Sequence, residues 1–244
     1  MRALLPLLLL LPASPAQADM LSPALEARGV LKASRTADVA APISARLASV
    51  PFKEGAWFKS GAVLARFDCD ALEAERAARQ AAHATLTLRH GNQKELWEGG
   101  AAGRLDVQLA ESEMKQAGSE AQALAAKLRD CTVHAPWAGR VAERHMEAFE
   151  TPAVGQPILS IVGGGRGEIV LIVQSAWSAW LEPGAELAFT VDGTNESFAA
   201  EVARLGAVVD PTSQTFEVVA VPTSKVRAVP GMSGTARFAR PDAE

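Results

Sequence analysis

The chain has 244 residues, nearly half of them apolar, enough to bury a sizeable core in one large domain or two to three small ones. Its formal net charge of −4 and the absence of any dense Lys/Arg cluster exclude nucleic acid and anionic membrane surfaces as expected partners. Few aromatics and abundant Ala suit close-packed helices and thin β-layers better than a deep aromatic-lined pocket, which argues against an enzyme.

Residues 1–18 read as a secretory signal peptide. Arg2 supplies the positive start, Ala3 to Leu11 is an apolar run, and Ala16-Gln17-Ala18 is a cleavage site of small residues. The run is shorter than the about 20 residues a stable membrane span needs; an uncleaved anchor is the alternative. No Cys follows the site to take a lipid, so the mature chain is expected to start near Asp19. Within residues 19–38, Leu25 to Lys32 is a candidate strand for the β-domain that closes the chain.

An internal repeat comes next. Ala41 to Leu47 (APISARL) aligns without gaps with Ala135 to Val141 (APWAGRV) at an offset of 94. The register continues through Gly61 and Gly155, Val63-Leu64 and Pro157-Ile158, and Phe67 and Ile161. Ala-Pro is expected to open a strand in each copy, with Arg46 or Arg140 facing outward and a glycine turn restarting the ladder. Two half-motifs, 39–69 and 131–163, imply one pseudo-symmetric small β-domain.

Residues 70–130 separate the copies and read as helix: they are free of Pro and rich in Ala, Glu, Gln, Arg and Leu. Val107, Ala110, Met114, Ala117, Ala121, Leu124 and Leu128 form a heptad seam in the second half; Ala71, Ala74, Ala78, Ala81, Thr85 and Leu88 are expected to face it from the first. Gly99-Gly100-Ala101-Ala102-Gly103 supplies the reversal. An antiparallel coiled-coil hairpin results, too exposed to serve as core packing and therefore expected to contact something else.

Cys69 and Cys131 flank the hairpin base. In an exported chain they are either two buried free thiols or a disulfide. A bond requires Cα atoms within about 7 Å, and closing a loop of about 60 residues is worth roughly 4 kcal/mol in the chain-entropy model.

From residue 164 to 240 the sequence returns to β. Strands are expected at Glu168 to Gln174, Leu187 to Val191, Phe198 to Leu205, Thr215 to Val221 and Gly234 to Phe238, with a short helix or turn at Ser175 to Leu181. Their number and spacing suggest a small β-barrel. Trp177 and Trp180 read as core or inter-protomer packing.

These segments resemble the periplasmic adaptor, or membrane fusion protein, family of tripartite efflux and secretion systems. Ala41-Pro42-x-x-Ala45-Arg46-Leu47 with Glu54-Gly55-x-x-x-Lys59-x-Gly61-x-x-Leu64 is similar to the first of the family's two lipoyl half-motifs. Val133-His134-Ala135-Pro136-x-x-Gly139-Arg140-Val141 with Val154-Gly155-Gln156-Pro157-Ile158 is similar to the second. Val208-Val209-Asp210-Pro211-Thr212-Ser213-Gln214-Thr215-Phe216-Glu217-Val218 and Val229-Pro230-Gly231-Met232-Ser233-Gly234 resemble its barrel signature. The resemblance implies a mainly β protein: a split lipoyl-like β-sandwich carrying an α-helical coiled-coil hairpin, followed by a small β-barrel. It also implies a periplasmic homo-oligomer, trimer or hexamer, linking an inner-membrane transporter of RND or ABC type to an outer-membrane channel. The expected channel contacts at the hairpin tip are Leu96, Gly103 and Arg104. Of the family's Arg-Leu-Ser tip pattern, the corresponding Asn92, Leu96 and Gly103 keep only the Leu, and the membrane-proximal domain of many relatives has no counterpart. A periplasmic scaffold or regulator that binds another envelope protein through the hairpin is the alternative.

Competing chemistry finds little support. A biotinyl or lipoyl carrier needs a Lys in a tight turn between the halves, whereas Lys53 and Lys59 lie earlier and the second half has none. His83, His90, His134 and His145 lack ligand spacing, and no nucleophile, phosphate-loop or Cys-x-x-Cys motif occurs. No catalytic residue, metal ligand or cofactor is expected.

Overall fold

A computed structural model describes residues 25–239. The signal peptide at 1–18, its cleavage after Ala18 and the outermost positions of the barrel segments, 19–24 and 240, lie outside the described residues. The elements are β1 (Leu25–Lys32), β2 (Thr36–Ala40), β3 (Leu47–Ser49), β4 (Trp57–Phe58), β5 (Val63–Phe67), α1 (Asp70–Glu98), α2 (Arg104–Arg129), β6 (Thr132–His134), β7 (Gly139–Arg144), β8 (Pro157–Gly163), β9 (Glu168–Gln174), a 3₁₀ turn (Ser175–Ala179), β10 (Glu186–Val191), β11 (Ser197–Leu205), β12 (Thr215–Pro222) and β13 (Ser233–Phe238).

Six strands close an antiparallel barrel in the order β1-β13-β10-β11-β12-β9. Alternation explains it: along β9, Ile169, Leu171 and Val173 point inward to meet Leu31, Phe189 and Val218 in one core. Each such side chain, fully buried, contributes about 1.5–3 kcal/mol relative to exposure. β1 joins from far upstream because its Ala27 and Leu31 complete that core between β9 and β13.

The half-motifs form a β-sandwich of two sheets, β2-β8-β7-β4 and β3-β5-β6, with Leu47, Leu64, Val141, Ile158 and Ile161 in its core. The offset of 94 holds at the level of single hydrogen bonds. Gly55 N donates to Val141 O at 2.9 Å, and 94 residues on, Phe149 N donates to Leu47 O at 2.7 Å. Gly61 N to Ala135 O (2.8 Å) is matched by Gly155 N to Ala41 O (2.8 Å), and Ala135 N to Ala62 O (2.8 Å) by Ala41 N to Gln156 O (2.9 Å).

Two sequence expectations need correction. Ala41-Pro42 follows a strand and does not open one; the strand is β2, whose Thr36–Ala40 pairs with β8 as β6 pairs with β5. The boundary drawn at residue 38 therefore falls inside a sandwich strand, and the passage from barrel to sandwich occurs at Ala33–Arg35.

The hairpin also departs from expectation, in the face that α1 turns inward. Ala110, Ala117 and Leu124 of α2 are buried in the seam, with Val107, Met114, Ala121 and Leu128 partly covered. On α1 the alanine stripe faces away: Ala71, Ala74, Ala78, Ala81 and Thr85 are exposed, and Leu88 is 72% exposed. The covered face holds Leu72, Arg76, His83, Leu86 and His90 instead. Three of these five side chains are polar, so this seam shows no apolar periodicity.

Candidate functional site

Beyond its root, where Leu72 and Leu128 pack on the sandwich core, the hairpin projects from the β-bodies, and α1, at 29 residues, extends about 44 Å. Its root is fixed covalently. Cys69 precedes α1 and Cys131 follows α2; they form a disulfide with Cα atoms 6.3 Å apart, inside the limit set from sequence. Arg46 reinforces the root by pairing with Asp68 at 2.5 Å, and its guanidinium holds the Asp68 carboxyl below the usual carboxylate range.

Along the shaft, cations of α1 meet acids of α2. Arg79 pairs with Glu120 at 3.0 Å and Arg89 with Glu113 at 2.8 Å. The Lys115 ammonium beside Glu111 lowers that carboxyl, and His90 across the seam acts weakly in the same direction. His83 lies against Gly118, where even a Cβ would meet its ring nitrogen at 3.0 Å, so this glycine lets the helices close over an imidazole.

At the tip, α1 ends in a Schellman arrangement. Gly100 takes φ +75, its N–H donates to Trp97 O at 2.9 Å, and Ala101 N donates to Leu96 O at 2.7 Å. Gly103 caps α2, and its N–H donates to the Asp106 carboxylate at 2.9 Å. Leu96, Gly103 and Arg104 are all exposed here, Gly103 as the N-cap of α2. Sequence reasoning missed Trp97, Leu105 and Leu109, all exposed, Leu105 to 76%. With Leu96 they set four large apolar side chains within two turns of the reversal. The available signal was that Leu105 and Leu109, four apart, sit outside the α2 seam.

The opposite end of the molecule is aromatic. Leu25 and Phe238 pair at the barrel end remote from the sandwich, where Trp177 and Phe238 have ring centroids 5.3 Å apart and Trp180 lies 5.4 Å from Trp177. Trp177 is buried and Trp180 partly so, which makes both core residues of this end. Lys53 and Lys59 both stand exposed near turns of the first half-motif. His134 contacts Gly61 O at 3.1 Å, and His145 contacts Ser160 Oγ at 2.8 Å. Among the described residues, no cluster of three His, Cys, Asp or Glu side chains is arranged to hold a metal ion, and no helix is long and apolar enough to cross a membrane.

No protein-family model matches the sequence, and no curated protein sequence matches it either. Solved structures do. The membrane fusion protein Spr0693 of Streptococcus pneumoniae R6 is 15% identical with a TM-score of 0.73, over 88% of this chain and 98% of that one. MacA of Actinobacillus actinomycetemcomitans is 18% identical with a TM-score of 0.69, over 88% of this chain and 79% of that one. The periplasmic adaptor protein EmrA is 14% identical with a TM-score of 0.54, over 89% of this chain and 99% of that one. The mainly β architecture with a helical hairpin is thus the fold of membrane fusion and periplasmic adaptor proteins.

Proposed function

We propose that this chain is an exported periplasmic adaptor that joins an inner-membrane transporter, of RND or ABC type, to an outer-membrane channel, working as a ring of copies and performing no catalysis. The observation that carries this reading is the pairing of a covalently clamped, projecting hairpin with an exposed apolar tip of Leu96, Trp97, Leu105 and Leu109. An apolar cluster on a projection some 40 Å from any core does nothing for the fold and suits burial against another protein. The barrel end, at the other extreme, is the face for the transporter. The fold shared with membrane fusion and adaptor proteins supports the same role. The signal sequence at 1–18, cleaved after Ala18, delivers the chain to the periplasm.

One observation favours the second reading, a scaffold that binds another envelope protein. The apolar set at the tip is divided between α1 and α2, two residues on each, and does not follow the family's Arg-Leu-Ser pattern, since Asn92 and Gly103 stand at two of its three positions. Affinity purification of the tagged chain from detergent-solubilised envelopes separates the two. The adaptor reading expects an integral inner-membrane transporter in stoichiometric yield; recovery of soluble periplasmic proteins alone contradicts it.

A further inference from the structure

The repeat leaves one arginine without its counterpart's partner. Arg46 in the first half pairs with Asp68 across the strands. Ninety-four residues on, Arg140 has Val162 at the matching position as its cross-strand neighbour, so no carboxylate meets it. Arg140 instead donates from Nε to Gly55 O at 2.6 Å and lies over the Trp57 ring at 5.7 Å. Trp57 itself is 67% exposed.

Arg140 and Trp57 form one wall of a groove of about 810 Å³ where the sandwich meets the barrel, beside the crossings at Ala33 and at Gly163–Gly167. Phe58, Val162, Leu31 and Val229 give it an apolar floor. Three more cations line it, Arg166, Lys225 and Arg227, and no Asp or Glu does. Among the described residues none of the four forms an ion pair: Arg166 donates to Thr223 O at 3.1 Å, and the Glu196 carboxylate accepts from the Arg227 backbone rather than from its guanidinium. In a chain of net charge −4, four unpaired cations around an apolar floor are a recognition pattern, and the volume is that of a small-molecule site.

We propose that this groove binds a monomeric amphiphilic anion: a carboxylate, sulfate or phosphate on an apolar chain or ring system. The head group would sit among Arg140, Arg166, Lys225 and Arg227, gaining charge-assisted hydrogen bonds that a neutral head cannot make. The apolar body would cover Trp57, Phe58, Val162 and Val229. Bound across both crossings, it would also restrain the barrel against the sandwich. The site stands whether or not the chain bridges two membranes.

Calorimetric titration of the mature chain with dodecanoate, below its micelle concentration, tests this. One saturable site is expected, with Trp57 fluorescence changing alongside it. Dodecanol, which lacks the charge, and acetate, which lacks the chain, should bind at least about tenfold more weakly. Lys225→Glu with Arg227→Glu, on an exposed loop, should weaken dodecanoate at least about tenfold while circular dichroism and melting stay unchanged. Val162→Asp, which offers Arg140 the carboxylate that Arg46 has, should weaken it independently. Absence of a saturable site, equal binding of dodecanol, or indifference to both variants would overturn the proposal. Binding to phosphatidylglycerol vesicles without binding of dodecanoate would overturn it in favour of a membrane contact.

Discussion

The two halves of the lipoyl-like domain share their backbone hydrogen bonds and differ in how each is joined to the next element of the chain. The first half ends at Asp68-Cys69, where an ion pair and a disulfide lock the hairpin to the sandwich. The second ends at the matching Val162-Gly163 and runs through a glycine segment to the barrel, beside a groove rather than a clamp. A duplicated core thus tolerates opposite demands at its exits. One exit is crosslinked and ion-paired; the other is uncrosslinked and lined by cations.

The largest effect should come from unlocking the stiff exit. Replacing Cys69 and Cys131 by Ser removes a bond spanning 62 residues and is expected to cost up to about 4 kcal/mol. Amide exchange should then rise first in the helix turns next to the root, while the barrel core stays protected. Next comes a position where the halves differ by one methyl. Gly139 packs so closely that an added Cβ would meet Val162 O at 2.2 Å, whereas the first half carries Ala45 at the matching place. Gly139→Ala should destabilise by about 3 kcal/mol in denaturant melts, and Ala45→Gly by about 1 kcal/mol or less.

A third test swaps residues at the left-handed turn. The first half uses Gly55 at φ +77; the second holds Phe149 at φ +74, 73% exposed. A bulky residue there costs about 1–2 kcal/mol, part of which glycine returns as chain entropy. Phe149→Gly should therefore stabilise by about 0.5–1 kcal/mol, and Gly55→Phe should destabilise, its Cβ lying 3.3 Å from the Arg140 guanidinium.

The smallest effect is in pH. Asp68 is held below its ordinary value of 3.8 by Arg46, so its contribution is present above that value and is lost as pH falls through the lowered one. Acid melts of the wild type should show this loss below about pH 4, and Asp68→Asn should abolish it. Because exposed pairs contribute little, the readout is the change in slope rather than the depth of the transition.

Much of this architecture was legible in the chain. Repeat spacing located both half-motifs, alternation located the barrel strands to within a residue or two, and flanking position suggested the Cys69–Cys131 bond. The α2 seam was legible because its residues are apolar at heptad spacing. The α1 seam was not, because Arg76, His83 and His90 fill it while a more regular alanine stripe faces solvent. The Arg79–Glu120 and Arg89–Glu113 pairs that flank the inward face have no apolar period to read. β2 was misplaced because Ala-Pro marks the turn after a strand as readily as the start of one. At the tip, Leu96 was singled out from a resemblance, and the exposure of Trp97, Leu105 and Leu109 beside it appears only in the geometry.

The adaptor role is tested most directly by a paired photo-crosslink in living cells, from Leu105 at the hairpin tip and from Ser178, exposed at the far end of the barrel. Two different captures are expected: an outer-membrane channel from Leu105 and an inner-membrane transporter from Ser178. Capture of the same partner from both ends, or of soluble periplasmic proteins alone, would contradict that role.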